Sequence, residues 1–396
     1  MKKNLLFVMP SLSAGGGEKS LVNLLSQIDY SLYDVDLFLF SKTGVFINSI
    51  PREVNILDLP DDYKVFTREL KISIKNYLKN GQINLAYSRL MFSVKNRMVK
   101  SKAISEQYTW KYQSMSFEIL EKEYDVAIGY LEKSSIYFVA DKVNAKKKIG
   151  WIHTNYSNSG MDCNFDNPYF EKLDYIVTVS EECVKSLKEN FPHLKNKIRV
   201  IYNVVSPKII NNLANKEIQD NFKYDMGYTN IITVARLSYE KGIDIAIKSC
   251  RSLINKGYKI RWYVLGDGSE REKLESLIEG NDLKHNFKLL GIKENPYPYI
   301  KKADIYVQPS RYEGKSIAID EAKILHKPIV VTNFETAKDQ INDGENGTIV
   351  DMTEEGISDG IEMLIKNIDF KNNLVENLSK EKLGTEEEIN KLYQIV

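Results

Sequence analysis

Two glutamates that follow a short apolar stretch are the most informative residues of the sequence. Residues 309–322 read Pro-Ser-Arg-Tyr-Glu-Gly-Lys-Ser-Ile-Ala-Ile-Asp-Glu-Ala, which places Glu313 before a predicted helix start and Glu321 inside that helix. Free backbone N–H groups at residues 315–317, assisted by the helix dipole, would form an anion site. The Glu321 carboxylate could accept two hydrogen bonds from a ribose diol. Two glutamates at this spacing also occur by chance on solvated helices, but the preceding strand, proline and glycine sharpen the pattern.

Two cations are predicted at the end of another strand. Arg236 follows the apolar run 231–235, and Lys241 stands at the start of the next helix, so both lie at the carboxyl edge of a parallel sheet. Fixed cations at such an edge can neutralise a diphosphate without a metal ion. Alone they would be interpreted as ordinary surface side chains. Together with the anion site they predict a diphosphate-binding cleft in which Lys241 and Glu321 are exposed.

Glycine-rich turns and one histidine are further candidates. The run Ser-Ala-Gly-Gly-Gly-Glu-Lys at 13–19 would let the backbone approach a ligand closely, although a flexible turn is the alternative. Gly266 and Gly268 do not form a dinucleotide fingerprint, because Arg271 occupies the third glycine position, and a tight turn from strand to helix is predicted instead. His153 alone among four histidines falls at a predicted strand end, where a core histidine is the alternative.

These candidates need a framework that brings strand ends together. Short apolar runs alternate with amphipathic stretches, which predicts α/β architecture with parallel sheets covered on both faces. We predict domains at 1–204 and 205–380, with a ligand cleft between the carboxyl edges of two facing sheets. The predicted strands are 5–9, 36–40, 126–130, 175–179, 198–202, 231–235, 262–265, 287–290, 305–307 and 329–332.

Composition excludes several classes of protein. The 396 residues include 55 Lys+Arg and 54 Asp+Glu, so a net charge of +1 gives no general attraction to nucleic acid. Three cysteines are too few for a disulfide framework, and no Cys or His pair has the spacing of zinc ligands. No apolar run reaches the roughly 18 residues needed to span a bilayer. We therefore expect a reduced, cytoplasmic, globular protein without a metal or cofactor, and we interpret Asp34 and Asp36 as polar residues of a strand rather than as metal ligands.

One region departs from this pattern. Residues 68–102 contain nine basic residues and one acidic residue, interleaved with apolar side chains. Two interpretations remain open: a solvated helix pair, or cationic helices that lie on anionic lipid at the inner face of the cell membrane. In the second case, changing Lys71, Lys75 and Lys79 to Glu would weaken binding to anionic vesicles. The candidate membrane or acceptor surface comprises Arg68, Lys71, Lys75 and Lys79.

Taken in order, these segments resemble glycosyltransferase family 4, a retaining group with the two-domain GT-B fold. The resemblance also implies a C-terminal helix, within 381–396, that packs back onto the first domain. The motifs that carry it are Gly15–Glu18, Trp151–His153, Ile201–Asn203, Ala235–Leu237 with Lys241 and Gly242, Gly266 with Gly268, and Pro309 and Ser310 leading into Glu313 and Glu321.

The resemblance also implies roles for individual residues. Arg236 and Lys241 would hold a donor diphosphate, and Glu321 would hold the ribose. Glu313, together with the backbone that follows it, would hold the transferred sugar and the distal phosphate, and His153 would contact the sugar. The backbone of Gly314, Lys315, Ser316 and Ile317 would hold the sugar and distal phosphate, and further donor contacts would come from Gly16, Gly17, Asn203, Gly266 and Gly268. The family's usual Gly-Phe-Gly is replaced here by Gly-Lys-Ser at 314–316, which leaves the donor sugar open.

The implied activity is retaining, metal-independent transfer of a sugar from a nucleotide-diphosphate sugar, expected to be a UDP-sugar. The acceptor would be a glycan or a lipid-linked molecule in cell-surface polysaccharide synthesis. Two alternatives remain. One is a non-catalytic GT-B subunit that stabilises a partner transferase, against which the presence of Arg236, Lys241, Glu313 and Glu321 argues. The other is a nucleotide-sugar epimerase or a phosphorylase of the same fold.

Overall fold

The computed structural model describes residues 2–13, 15–99, 101–218, 222 and 224–396. The chain divides into two compact units, and the division falls after Tyr202 and again after Glu386. Of the described residues, the first unit contains 2–13, Gly17–Tyr202 and Glu387–Val396, and the second contains 15–16 and Asn203–Glu386. Each unit is an α/β structure built around one parallel sheet.

The first unit has a seven-stranded sheet of order β3-β2-β1-β4-β5-β6-β7, in which all neighbouring strands are parallel. Its strands are β1 (Lys3–Met9), β2 (Tyr33–Leu39), β3 (Asn55–Ile56), β4 (Tyr124–Gly129), β5 (Ala145–Ile152), β6 (Tyr175–Thr178) and β7 (Ile198–Val200). Its helices are α1 (Gly16–Leu25), α2 (Asp61–Phe66), α3 (Leu70–Lys79), α4 (Ile83–Met98), α5 (Lys102–Gln113), α6 (Ser134–Lys142), α7 (Cys163–Phe170) and α8 (Glu181–Asn190).

The central strands of this sheet are apolar on both faces because helices cover both. Leu5 to Met9 of β1 are fully buried, and β1 pairs with β4 in the register Leu5↔Val126. A cluster of aromatic rings lies beneath the helices, where Phe38 stacks on Phe138 with ring centroids 4.4 Å apart. These continuous apolar runs are the signal from which the sequence predicts a parallel sheet.

For β5 the sequence predicted only a strand end at His153 and not the range of the strand. Its first half contains Lys146, Lys147 and Lys148, which hide the strand pattern, and only its second half is buried. The lysine side chains extend to the sheet margin, where Lys146 pairs with Asp125 at 2.7 Å and the Lys148 ammonium donates to the Ala140 carbonyl at 3.0 Å. Lysines of this kind bury their methylene stems while keeping the charge at a polar partner.

The second unit has a six-stranded parallel sheet of order β10-β9-β8-β11-β12-β13. Its strands are β8 (Thr229–Val234), β9 (Ile260–Leu265), β10 (Phe287–Leu289), β11 (Ile305–Gln308), β12 (Ile329–Thr332) and β13 (Thr348–Val350). Its helices are α9 (Pro207–Ala214), α10 (Ile243–Asn255), α11 (Arg271–Gly280), α12 (Tyr297–Lys302), α13 (Ile317–Ile324), α14 (Glu354–Lys366) and α15 (Ile368–Lys380).

The last helix, α16 (Ile389–Ile395), packs on the first unit. The Tyr393 ring stacks on Tyr33 with centroids 5.2 Å apart, and its hydroxyl accepts a hydrogen bond from the Asp29 amide at 2.9 Å. The Lys3 ammonium donates to the Val396 carbonyl at 3.1 Å. Among the described helices, none is both long and apolar enough to cross a membrane.

Candidate functional site

The strand order of the second sheet reverses between β8 and β11. The chain runs from β8 outward to β9 and β10 on one side, then returns to β11 on the other side of β8. At such a switch point the two loops leaving the strands diverge and leave a crevice for a ligand. The two loops here are 235–242, after β8, and 309–316, after β11, and they carry most of the residues singled out from the sequence.

Arg311 holds these two loops together. Its backbone amide donates to the Glu240 carbonyl at 2.7 Å, and its guanidinium makes a two-pronged contact with Asp244 at 2.8 and 2.7 Å. The guanidinium also lies over the Tyr239 ring, with its central carbon 4.1 Å from the ring centroid. Bidentate pairs of this kind fix geometry as well as adding energy. Sequence reasoning missed Arg311 because its partners lie far away in the sequence, Glu240 in the loop after β8 and Asp244 in the first turn of α10.

Gly242 allows the backbones of the loops 235–242 and 309–316 to approach each other closely. Its φ is 63°, and a Cβ at this position would lie 1.9 Å from the Pro309 carbonyl oxygen. Any side chain here would push the two loops apart. Gly266 and Gly268 have an equivalent role beside the β8 loop, where an added Cβ would lie 1.9 Å from the Ala235 oxygen and 2.3 Å from the Leu237 oxygen. All three glycines are therefore required by packing of backbone on backbone.

Lys241 and Glu313 form an ion pair. The Lys241 Nζ lies 2.6 Å from the Glu313 Oε2, and their side chains are 17% and 8% exposed. The other carboxylate oxygen accepts hydrogen bonds from Ser310 at 2.7 Å and Gln308 at 3.1 Å. The structure thus brings together two residues predicted from separate motifs. The sequence-based expectation that Lys241 is exposed was wrong, because the β11 loop covers it.

Arg236 is a solvent-exposed cation of the site. Its side chain is 58% exposed, and its Nη2 lies 3.9 Å from the Glu240 Oε1. Burial acts to raise the pKa of Glu240, but a hydrogen bond from Ser238 and the charges of Arg236 and Lys241 hold that pKa below its usual value. Both cations therefore act on the same carboxylate, which places them within one electrostatic cluster.

The start of α13 differs from the prediction. The Ser316 amide, predicted to be free, donates to the Gln340 Oε1 at 2.8 Å. The Gln340 amide nitrogen in turn donates to the Ser316 carbonyl at 2.8 Å and to Asp320 at 2.9 Å. The Lys315 Nζ lies 3.6 Å from Asp320. Gln340 thus occupies a donor of the predicted anion site, and no spacing in the sequence signalled this contact.

Glu321 lies in the interior rather than at the surface. It is 1% exposed and accepts a hydrogen bond from the Tyr297 hydroxyl at 2.9 Å. Burial first, and then the Glu321 charge and this hydrogen bond, raise the pKa of Tyr297 well above its usual value. The expectation that Glu321 is exposed was therefore wrong, and its role toward a ribose stays a prediction. Asn203 is also buried, and its carbonyl accepts a hydrogen bond from Thr385 at 2.5 Å.

In the first unit, His153 follows β5 and lies beside the glycine-rich turn. A Cβ on Gly17 would lie 3.8 Å from the His153 ring and 2.9 Å from Leu131, whereas a Cβ on Gly16 would meet no atom within 4 Å. The His153 ring packs against Tyr130 with centroids 5.0 Å apart. The absence of a side chain at Gly17 is therefore what leaves room beside the histidine. The roles of Gly16, Gly17 and His153 toward a donor stay predictions.

His153 is a neutral imidazole. Burial lowers its pKa to about 3, opposed only in part by a hydrogen bond to the backbone of Tyr130. A neutral ring bonded to a carbonyl must donate there, so its buried Nε2, which has no partner among the described residues, is left as an acceptor. Sequence reasoning missed Glu132, whose carboxylate accepts from the His153 amide at 3.3 Å and whose pKa is raised by burial.

The second unit matches a known family. Residues 214–381 match the family model described as "Glycosyl transferases group 1". The chain is 28% identical over 206 residues to an uncharacterised glycosyltransferase of Methanocaldococcus jannaschii, covering 50% of this chain and 51% of that relative. It is 29% identical over 168 residues to the capsular polysaccharide biosynthesis glycosyltransferase CapM of Staphylococcus aureus, covering 41% of each. The chain spans about half the length of the curated relatives it matches.

Solved structures extend the similarity of fold to the whole chain. HepE of Anabaena, solved in complex with UDP, matches with a TM-score of 0.65 at 14% identity, covering 100% of this chain and 99% of that chain. Staphylococcus aureus TarM matches with a TM-score of 0.67 at 15% identity, covering 99% of each. The predicted fold class, GT-B with two Rossmann-like parallel-sheet domains, is confirmed.

Proposed function

We propose that the chain is a retaining glycosyltransferase that transfers a sugar from a nucleotide-diphosphate sugar without a metal ion. The observation that carries the proposal is the cluster at the β8–β11 switch point. There, Arg236 and Lys241 follow one strand and Glu313 follows its neighbour. This cluster lies within the segment that matches the group 1 glycosyl transferases.

The charges of the cluster fit the leaving group. Breaking the bond between a sugar and a phosphate leaves negative charge on a nucleoside diphosphate. Arg236, being exposed, and Lys241, positioned by its ion pair, would stabilise that charge as it develops. The charge stabilisation that a divalent cation would otherwise supply would come from these two side chains of the loop after β8.

Glu313 fits the sugar rather than the phosphate. An ionised carboxylate only accepts hydrogen bonds, so it would repel a phosphate and orient sugar hydroxyls. Ser310 and Gln308 fix one of its oxygens, which leaves the oxygen facing Lys241 to share between the lysine and a ligand. The neutral Nε2 of His153 would likewise accept a hydroxyl hydrogen rather than supply a proton.

Relatives support a UDP-sugar donor and a glycan or lipid-linked acceptor. HepE has been solved with UDP-glucose. A Campylobacter jejuni relative, 26% identical over 187 residues and covering 47% of this chain and 49% of that one, is named as an N-acetylgalactosaminyltransferase acting on a diphospho-undecaprenol. By analogy, we propose a place in cell-surface polysaccharide synthesis. Same-face attack, in which a donor phosphate oxygen takes the acceptor proton, accounts for retention without a further general base.

The test is release of nucleoside diphosphate from a panel of nucleotide sugars, with EDTA present and with lipid extracts as acceptors. We expect one donor to be turned over, faster with acceptor, and Lys241→Ala to lose that turnover. Lys338→Ala, at an exposed lysine of the same unit, is the matched control. Donor turnover that needs no acceptor would favour an epimerase. Binding of a nucleotide sugar without turnover of any member of the panel would favour the non-catalytic subunit.

A further inference from the structure

Helix α4 carries an apolar stripe that no described part of the chain covers. Five of its apolar side chains recur at intervals of three or four residues and so lie on one face of the helix. That face lies opposite Leu85 and Ser88, which are buried in the first unit. We call these residues the α4 stripe: Ile83, Tyr87, Leu90, Val94 and Met98, which are 68, 59, 43, 38 and 70% exposed.

Exposed cations lie on α4 itself, on the neighbouring helix α3 and just before α3. On the neighbouring helix α3, Lys71, Lys75 and Lys79 are exposed on the side away from the buried Ser73 and Tyr77. Arg97 on α4 and Arg68 before α3 are exposed as well. None of these five cations forms an ion pair with another described residue, whereas the remaining arginine, Arg89, is half-buried over the Phe66 and Phe92 rings. The neighbouring helices α3 and α4 therefore carry both unpaired positive charge and exposed apolar side chains.

We propose that the α4 stripe and its cations dock on a bilayer surface that contains anionic lipid. α4 has 16 residues and a length of about 24 Å, which suits a helix lying in the plane of the headgroups. Apolar side chains would enter the acyl boundary while lysines and arginines contact lipid phosphates. The proposal goes beyond the proposed function and does not depend on it, since it concerns vesicle binding without any nucleotide sugar.

Charge disfavours two other occupants. In a symmetric dimer built on this face, cations would meet the same cations of the second copy, because Glu69 is the only acidic residue between positions 68 and 98. A nucleic acid would satisfy the cations but leave the apolar stripe in water. An anionic bilayer satisfies both.

The test is flotation of the full chain with vesicles of phosphatidylcholine, with and without phosphatidylglycerol. We expect binding only when phosphatidylglycerol is present, and weaker binding as salt increases. Lys71→Glu with Lys75→Glu and Lys79→Glu should weaken binding by about a hundredfold or more, which corresponds to about 1 kcal/mol for each lysine near an anionic surface. Ile83→Ser with Tyr87→Ser should weaken it by about tenfold while the salt dependence is retained.

Matched controls make the same kinds of substitution at exposed residues of the second unit. Lys248→Glu with Lys302→Glu and Lys338→Glu makes the same charge change at exposed lysines of the second unit, and Ile368→Ser removes an apolar side chain that is 55% exposed. Both controls should bind vesicles as wild type does, and all variants should melt near the wild-type temperature. Equal loss in the control triple, or no vesicle binding by wild type, would overturn the proposal. So would a wild-type dimer in sedimentation that Ile83→Ser with Tyr87→Ser dissociates.

Discussion

Replacing Glu313 with Gln removes the negative charge of the Lys241–Glu313 pair while keeping nearly the same side-chain shape. The lysine nitrogen lies 2.6 Å from the carboxylate oxygen. A phosphate oxygen bound to that nitrogen at about 2.8 Å would lie no more than about 5.5 Å from the carboxylate. The two negative groups would repel by about 0.8 kcal/mol at the dielectric constant of water and by about 3 kcal/mol at an effective dielectric constant of about 20.

Glu313→Gln should therefore bind UDP more tightly than wild type, by at least about threefold. The same substitution should slow sugar transfer by at least about tenfold, because a neutral amide orients sugar hydroxyls less strongly than a carboxylate does. Calorimetric titration gives the affinity, and release of nucleoside diphosphate gives the rate. Opposite changes in binding and turnover are the signature of a residue that faces the sugar.

Lys241→Ala is the matched comparison. It removes the cation and leaves a buried carboxylate, so UDP binding should weaken by about 1.5–3 kcal/mol, or roughly ten- to a hundredfold. The double variant Lys241→Ala with Glu313→Gln should bind UDP better than Lys241→Ala alone, because the uncompensated charge is gone. If Glu313→Gln weakens UDP binding as much as Lys241→Ala does, the assignment of Glu313 to the sugar is refuted.

Three further predictions follow from packing and burial. Gly242→Ala should destabilise the fold by more than about 1 kcal/mol in urea unfolding, because φ is 63° and the Cβ would lie 1.9 Å from a backbone oxygen, whereas Gly280→Ala, in open space, should not. Glu321→Ala should lower the free energy of unfolding by about 1–3 kcal/mol, since the buried Tyr297 hydroxyl loses its acceptor, and an unchanged melting temperature would contradict this. The pKa of His153 is lowered to about 3 in the fold, so the unfolded chain binds the extra proton and stability falls as pH drops below about 6.5. Between pH 7 and pH 5 this loss should be about 2 kcal/mol, and His153→Phe should show a correspondingly smaller loss over the same range.

Much of the framework was visible in the sequence because buried parallel strands are continuous apolar runs. β1, β8 and β11 have this character, and the loops after β8 and β11 could be located from them. Only the end of β5 was predicted, because three lysines occupy its first half. β3 and β13 were missed because they are too short to show a period.

Part of the site could be predicted for the same reason. Residues just after parallel strands share one edge, so the meeting of Lys241 with Glu313 follows from strand order. The contacts of Gln340 with Ser316, and of Tyr297 with Glu321, join residues 24 positions apart on separate elements. No local spacing in the sequence indicates such contacts. Because of them, the Ser316 amide is already hydrogen-bonded and the Glu321 carboxylate is buried.

The most direct test of the central claim is calorimetric titration of UDP, GDP, ADP and TDP into the full chain, with EDTA present. The proposed function predicts that at least one nucleoside diphosphate binds at a single site per chain without a metal ion, and that Lys241→Ala weakens this binding at least tenfold while Lys338→Ala leaves it unchanged. Binding of none of the four, or equal binding by wild type and Lys241→Ala, would contradict it.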